Sequence, residues 1–195
     1  MITEEKLQEE LQVARRKAAK PMLWVSMISM VMFFAGLTSA YVISMRRDDW
    51  VSFELPQAFY VSTFLIVLSS LTLQLSQYFI KTNKRQLSLV LVVLTFLLGV
   101  GFIWQQYVGF NQLKSIGLFF TGPESTVSTS FIIGITFLHV LHLLAGVIVL
   151  LVVIYNHFKY KYKSNDLLGF ELGAIFWHFV DILWIYLFFF FSFIK

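Results

Sequence analysis

Five apolar runs, near residues 21–44, 57–80, 87–110, 129–155 and 171–194, are each long enough to cross a hydrocarbon core of about 30 Å as an α-helix. Lipid offers no partner to a bare N–H or C=O, so runs of this kind fold as helices that close their own hydrogen bonds. Of the 195 residues, 58% are hydrophobic and only 13% charged, which sets the chain apart from an ordinary soluble domain. The fold class expected is all-α: an integral membrane bundle of five transmembrane helices spanning residues 21–195.

The surplus of Lys and Arg (15) over Asp and Glu (11) is arranged for topology rather than for nucleic acid. Lys6, Arg15, Arg16, Lys17 and Lys20 precede helix 1; Lys81, Lys84 and Arg85 join helices 2 and 3; Lys159, Lys161 and Lys163 join helices 4 and 5. Alternate loops lie on the same side, so these eleven cations share one face and leave Arg46, Arg47, Lys114 and Lys195 on the other. The positive-inside rule then predicts a cytoplasmic N-terminus and an external C-terminus.

Residues 1–20 read as a separate cytosolic amphipathic segment, with Leu7, Leu11 and Ala14 on one stripe. The apolar run that follows is longer than a secretory h-region and is expected to stay as the first span. With no cysteine, disulfides and thiolate metal sites are excluded. Pro21 and Pro56 stand where helices 1 and 2 are expected to begin, positions that tolerate a missing N–H. Every connection is short except the outward loop at about 111–128. Small residues recur within the spans, and Gly169-x-x-x-Gly173 predicts a close helix contact at the cytoplasmic end of helix 5.

The last span is the most informative. Its sequence GFELGAIFWHFVDILWIY places Glu171, His178 and Asp181 in an apolar helix, within an arc of about 80°. Ionisable groups in lipid are costly unless they face protein and find partners, so they mark a site. Helix 4 carries His139 and His142 three residues apart, on one face and near the same depth. Three readings follow. The five side chains could hold zinc, iron or manganese, although no Glu-x-x-His of the di-iron kind occurs here. They could relay protons, although helices 1 to 3 offer Gln74, Gln77, Gln105 and Gln106 but no further acid or base to carry a path across. The favoured reading is an interhelical hydrogen-bond network holding helix 4 to helix 5. His157, beside Lys159, is expected to face headgroups, and Trp24, Trp50, Tyr155, Tyr160 and Tyr162 to anchor the interfaces. Trp177 and Trp184 suggest a contact surface for another helix or a tightly held lipid, and the run Phe188 to Phe191 an outward bulk.

The string Trp177-His178-Phe179-Val180-Asp181-Ile182-Leu183-Trp184, preceded by Glu171, resembles the last helix of subunit III of haem-copper terminal oxidases. Phe137-Leu138-His139-Val140-Leu141-His142 with Gly146 is similar to that family's paired-histidine helix. Leu98-Gly99 with Phe102 and Gln106 matches the preceding helix, and Met32-Phe33-Phe34-Ala35-Gly36 with Ala40-Tyr41 matches the one that opens the core. The five-helix pattern looks like the shortened bacterial form, also found in quinol oxidases and nitric-oxide-reductase-associated proteins. Two positions depart from the family: Met30 and Gly109 stand where many members carry glutamate, and Phe110 where they carry tyrosine.

The resemblance implies a non-catalytic subunit that packs on the catalytic subunit of a proton-pumping cytochrome c oxidase and supports its proton uptake. It implies no cofactor on this chain, haem and copper in partner subunits, structural phospholipid, and partners that include oxidase subunits I and II and a larger respiratory supercomplex. The bacterial inner membrane is the expected location. Gln106, Phe33, Phe34 and Gly36, with Trp177 and Trp184, are the positions expected to meet a subunit or lipid. A free-standing membrane metalloenzyme or proton-coupled carrier is the rival expectation.

Overall fold

The fold is given by a computed structural model that describes residues 4–48, 50–51, 54–118, 126–160, 162 and 167–194, with backbone only at 4, 5, 7, 9 and 12. Among them there are five helices and no strand: α1 (Glu4–Ser44), α2 (Gln57–Lys81), α3 (Arg85–Ser115), α4 (Val127–Phe158) and α5 (Leu168–Phe193). All five are long and apolar enough to cross a membrane. Lys161, Lys163, Lys195, residues 119–125 of the outward loop and the side chain of Leu7 lie outside the described residues.

The N-terminus departs from the expected boundary. α1 runs unbroken for 41 residues with Pro21 inside it, where a boundary was expected. At 1.5 Å per residue it is about 60 Å long, twice the hydrocarbon core, so its charged turns stand outside the membrane as a continuation of the span. Pro21 removes the bond to the Lys17 carbonyl, but Lys17 is exposed and water reaches that position. Pro56 does mark a start: it is the N-cap of α2, at φ −56°.

The packing order explains how the last helix comes to govern the interior. α2 packs on α3, α3 on α4, α4 on α5 and α5 back on α2, closing a four-helix ring; α1 lies outside it, against α4 and α5. α2 and α3 are zipped by short polar side chains: Thr72 Oγ1 and Thr95 Oγ1 stand 2.8 Å apart, Ser76 Oγ donates to the Ser88 carbonyl at 2.8 Å, and Gln106 Nε2 donates to Ser62 Oγ at 2.9 Å. Such bonds and close backbone approach replace the hydrophobic drive that lipid removes between helices. Gly173 supplies one approach, since a Cβ there would stand 3.1 Å from both Val149 and Val153 of α4. α4 is capped by the Thr126 side chain, which accepts from Thr129 N–H.

Candidate functional site

Trp177 is seven residues before Trp184, so both project from one stripe of α5 into the ring. The Trp177 ring is fully buried between two glycines of neighbouring helices. A Cβ on Gly99 of α3 would meet its Cη2 at 2.6 Å, and one on Gly146 of α4 its Cε3 at 3.1 Å. Its Nε1 donates to Ser69 Oγ of α2 at 3.0 Å, and Ser69 donates back to the Ile66 carbonyl at 2.7 Å. One side chain therefore touches all three other helices of the ring.

Trp184 repeats the arrangement two turns on. Its Nε1 donates to Thr63 Oγ1 of α2 at 2.9 Å. Its ring centroid lies 5.0 Å from Phe102 of α3, 5.9 Å from Phe59 of α2 and 5.2 Å from His139 of α4. The Phe102 ring meets it edge-on, an arrangement that aromatic quadrupoles favour.

The five ionisable side chains do not form the network expected between α4 and α5. Among the described residues no hydrogen bond joins any two of them, and no three His, Asp or Glu gather as a metal-ligand group. His139 is fully buried in an aromatic cage of Trp184, Phe102 and Phe34, with neither ring nitrogen hydrogen-bonded. His142 bonds within its own helix, Nδ1 to the Leu138 carbonyl at 2.7 Å; a carbonyl only accepts, so Nδ1 carries the proton. His178 turns toward α2, with Nδ1 2.6 Å from Ser70 Oγ. Asp181 lies beside Ser70 and is almost fully buried, but neither carboxylate oxygen closes a hydrogen bond. Glu171 is far from the rest, at the start of α5, and pairs with Lys20 of α1 at 2.7 Å. The reason is the ring geometry. α5 faces α2 as well as α4, and α2 offers hydroxyls where α4 offers Gly146 and Leu143.

The expected external contacts divide. Trp177, Trp184, Gln106 and Phe34 are buried inside this chain, so their contacts are internal, whereas Phe33 and Gly36 face outward on α1. His157 is buried rather than at the headgroups, its Nε2 3.2 Å from Ser88 Oγ, and Tyr162 is covered by His157 and Phe170. Phe188, Phe190 and Phe191 are buried, with only Phe189 of that run exposed. Sequence reading missed the hydroxyls of α2 that receive α5, namely Thr63, Ser69 and Ser70. A signal was there: Ser62, Ser69 and Ser76 recur every seven residues, as do Phe59, Ile66, Leu73 and Ile80, the spacing of a helix seam.

Fold and site together define a multi-pass α-helical membrane protein whose last helix keys its neighbours together from within. The family model for cytochrome c oxidase subunit III matches residues 1–194, and the chain belongs to that family. It is similar to cytochrome c oxidase subunit 3 of Pyricularia grisea, 34% identical over 136 residues that cover 70% of this chain and 47% of the relative. It is also similar to the proteins of that name from Pelomedusa subrufa (29%, covering 70% of this chain and 49% of the relative) and Spodoptera frugiperda (29%, covering 66% and 83%). The chain spans about half the length of most of these curated relatives.

Proposed function

We propose that the chain serves as the non-catalytic subunit III of a proton-pumping haem-copper terminal oxidase, bracing the catalytic subunit and supporting its proton uptake. Membership of the subunit III family over nearly the whole chain carries this reading. The polar groups of the site support it from below. They are spent on packing, with indole N–H groups bonded to α2 hydroxyls, His178 bonded to Ser70 across the α2–α5 contact, and His142 bonded to its own helix. In this reading haem and copper reside in subunits I and II, and structural phospholipid fills outward faces such as that of Phe33 and Gly36. The membrane is the bacterial cytoplasmic membrane with the N-terminus inside, a placement favoured by the cations of the N-terminal segment and of the α2–α3 and α4–α5 connections.

The test is a mild-detergent pull-down of the tagged chain from its native membrane, with mass spectrometry of its partners and a reduced-minus-oxidised haem spectrum of the eluate. Copurified oxidase subunits with haem absorbance are expected. A haem-free chain eluting alone overturns the reading.

A further inference from the structure

α1 runs on past the bundle as a bare helix. From Lys6 to Ala18 every described side chain is exposed. Lys20, held by Glu171 at the start of α5, marks the level of the bundle, and Leu11 stands about 14 Å farther out along the helix axis. Charge covers much of this segment, yet Leu11, Ala14, Ala18, Met22 and Val25 recur at steps of three and four and fall within an arc of about 80°. All five are exposed. Their stripe lies on the side of α1 opposite Phe34 and Tyr41, which pack on α4 and α5. Lipid covers this face where α1 is in the bilayer, but it cannot reach Leu11, Ala14 and Ala18. Nor can the segment fold down onto the membrane surface, because α1 is one continuous helix from Glu4 to Ser44.

A stripe of this kind in water is covered by another helix, and the charges beside it select which one. Glu10 flanks Leu11 on one side of the stripe, and Arg15 flanks Ala14 on the other. Between two parallel helices in register, a residue on the first flank faces the residue five places on in the neighbour, so Glu10 of each copy meets Arg15 of the other. Two copies inserted with the same topology are parallel, and a two-fold axis makes the ion pair twice. The sequence is therefore complementary to itself. The eleven-residue steps from Leu11 to Met22 and from Ala14 to Val25 give such a pair a right-handed winding. We infer that the α1 segment from Leu11 to Val25 pairs with the same segment of a second copy of this chain, as a parallel two-stranded coiled coil standing on the membrane. The pairing goes beyond the proposed role: it would join two oxidase complexes where that role holds, and two free chains where it does not.

The chain has no cysteine, so single introduced thiols report contacts directly. The test is copper-catalysed disulfide formation in opened native membranes between full chains carrying Ala14→Cys, against chains carrying Val13→Cys, an equally exposed position about 100° round the helix. A homodimer yield at least about tenfold higher is expected for Ala14→Cys, whose thiols face each other across the seam within disulfide reach. Adding Arg15→Glu to the Ala14→Cys chain should lower the yield about fivefold, because two exposed ion pairs are lost. Adding Glu10→Arg as well should restore it, which separates a lost pair from a damaged helix. Equal yields from Ala14→Cys and Val13→Cys, no homodimer, or a double charge variant no better than Arg15→Glu would overturn the inference. So would a disulfide to a different protein in place of the homodimer, which would assign the face to another subunit. Haem in the solubilised product is read separately and reports the oxidase role, so the two readings fail independently.

Discussion

Trp177 of α5 lies so close to Gly99 of α3 that a methyl group on the glycine would stand 2.6 Å from the ring's Cη2. The ring cannot swing aside, because Gly146 bounds it on α4 and Ser69 holds its Nε1 from α2. Gly99→Ala is therefore expected to destabilise the protein by about 1–3 kcal/mol, the usual cost of overpacking a filled interior. Gly146→Ala, with its nearest contact at 3.1 Å, should cost less, and Gly36→Ala, with nothing within 4 Å, should be neutral or slightly stabilising. Denaturation in mixed micelles gives this ranking directly, and equal stabilities for Gly99→Ala and Gly36→Ala would refute it.

The bond from Trp184 Nε1 to Thr63 Oγ1 can be measured with a double-mutant cycle of Trp184→Phe and Thr63→Val. A coupling of about 0.6 kcal/mol is expected, and at most about 1.7, the range of interhelical bonds in membranes. Thr63 also donates to the Phe59 carbonyl at 2.8 Å, so its own change to Val loses a second bond that the cycle removes from the comparison. Zero coupling would mean that the indole is held by packing alone.

Lys20 and Glu171 tie α1 to the start of α5, but the side chains are 48% and 32% exposed. Exposed pairs contribute little, so Glu171→Gln should cost no more than about 1 kcal/mol and should matter less in high salt. Asp181→Ala opens space in the closed interior and should cost clearly more, whereas the isosteric Asp181→Asn, which removes a buried carboxyl with no closed hydrogen bond, should be tolerated. Thermal denaturation of the three variants orders them, and an Asn variant as damaged as the Ala variant would point to a partner specific to the carboxylate.

Tyr162 lies in the α4–α5 connection, and burial pushes its phenol above the usual range, with a hydrogen bond to Asn156 offsetting part of the rise. An acid with a raised folded value favours folding while it stays protonated. Its contribution is full below the unfolded value of about 10 and is lost as the pH climbs through the folded one. Hydrogen exchange in this connection should accelerate at alkaline pH, and less so in Tyr162→Phe. Identical alkaline acceleration in both proteins would show that another group is responsible.

The five spans were legible because apolar length is a direct requirement of the bilayer. Their ends were less so. α3 reaches Ser115 and α1 continues through Pro21, because a helix outlasts its apolar portion once water can satisfy the exposed turns. The importance of Trp177, Trp184 and the ionisable residues could be read from their placement in one span, but not which way they pointed. In a membrane the interior is no more hydrophobic than the surface, so Phe34 and Phe33 look alike until the fold buries the first and exposes the second. The partner of the last helix was misread for the same reason. Thr63, Ser69 and Ser70 pass for neutral spacers in an apolar run, yet among the described residues α2, not α4, receives the side-chain hydrogen bonds of the α5 tryptophans and His178.

In the proposed role the tryptophan keys of α5 give the chain the rigidity with which it braces a haem-bearing partner. We would first measure the haem absorbance that copurifies with the tagged chain carrying Gly99→Ala, against Gly101→Ala, whose methyl group would stand at an ordinary 3.6 Å from Leu65, at equal membrane expression. Loss of haem with Gly99→Ala and full recovery with Gly101→Ala is expected. Equal recovery from the two variants would mean that the keys do not serve that bracing.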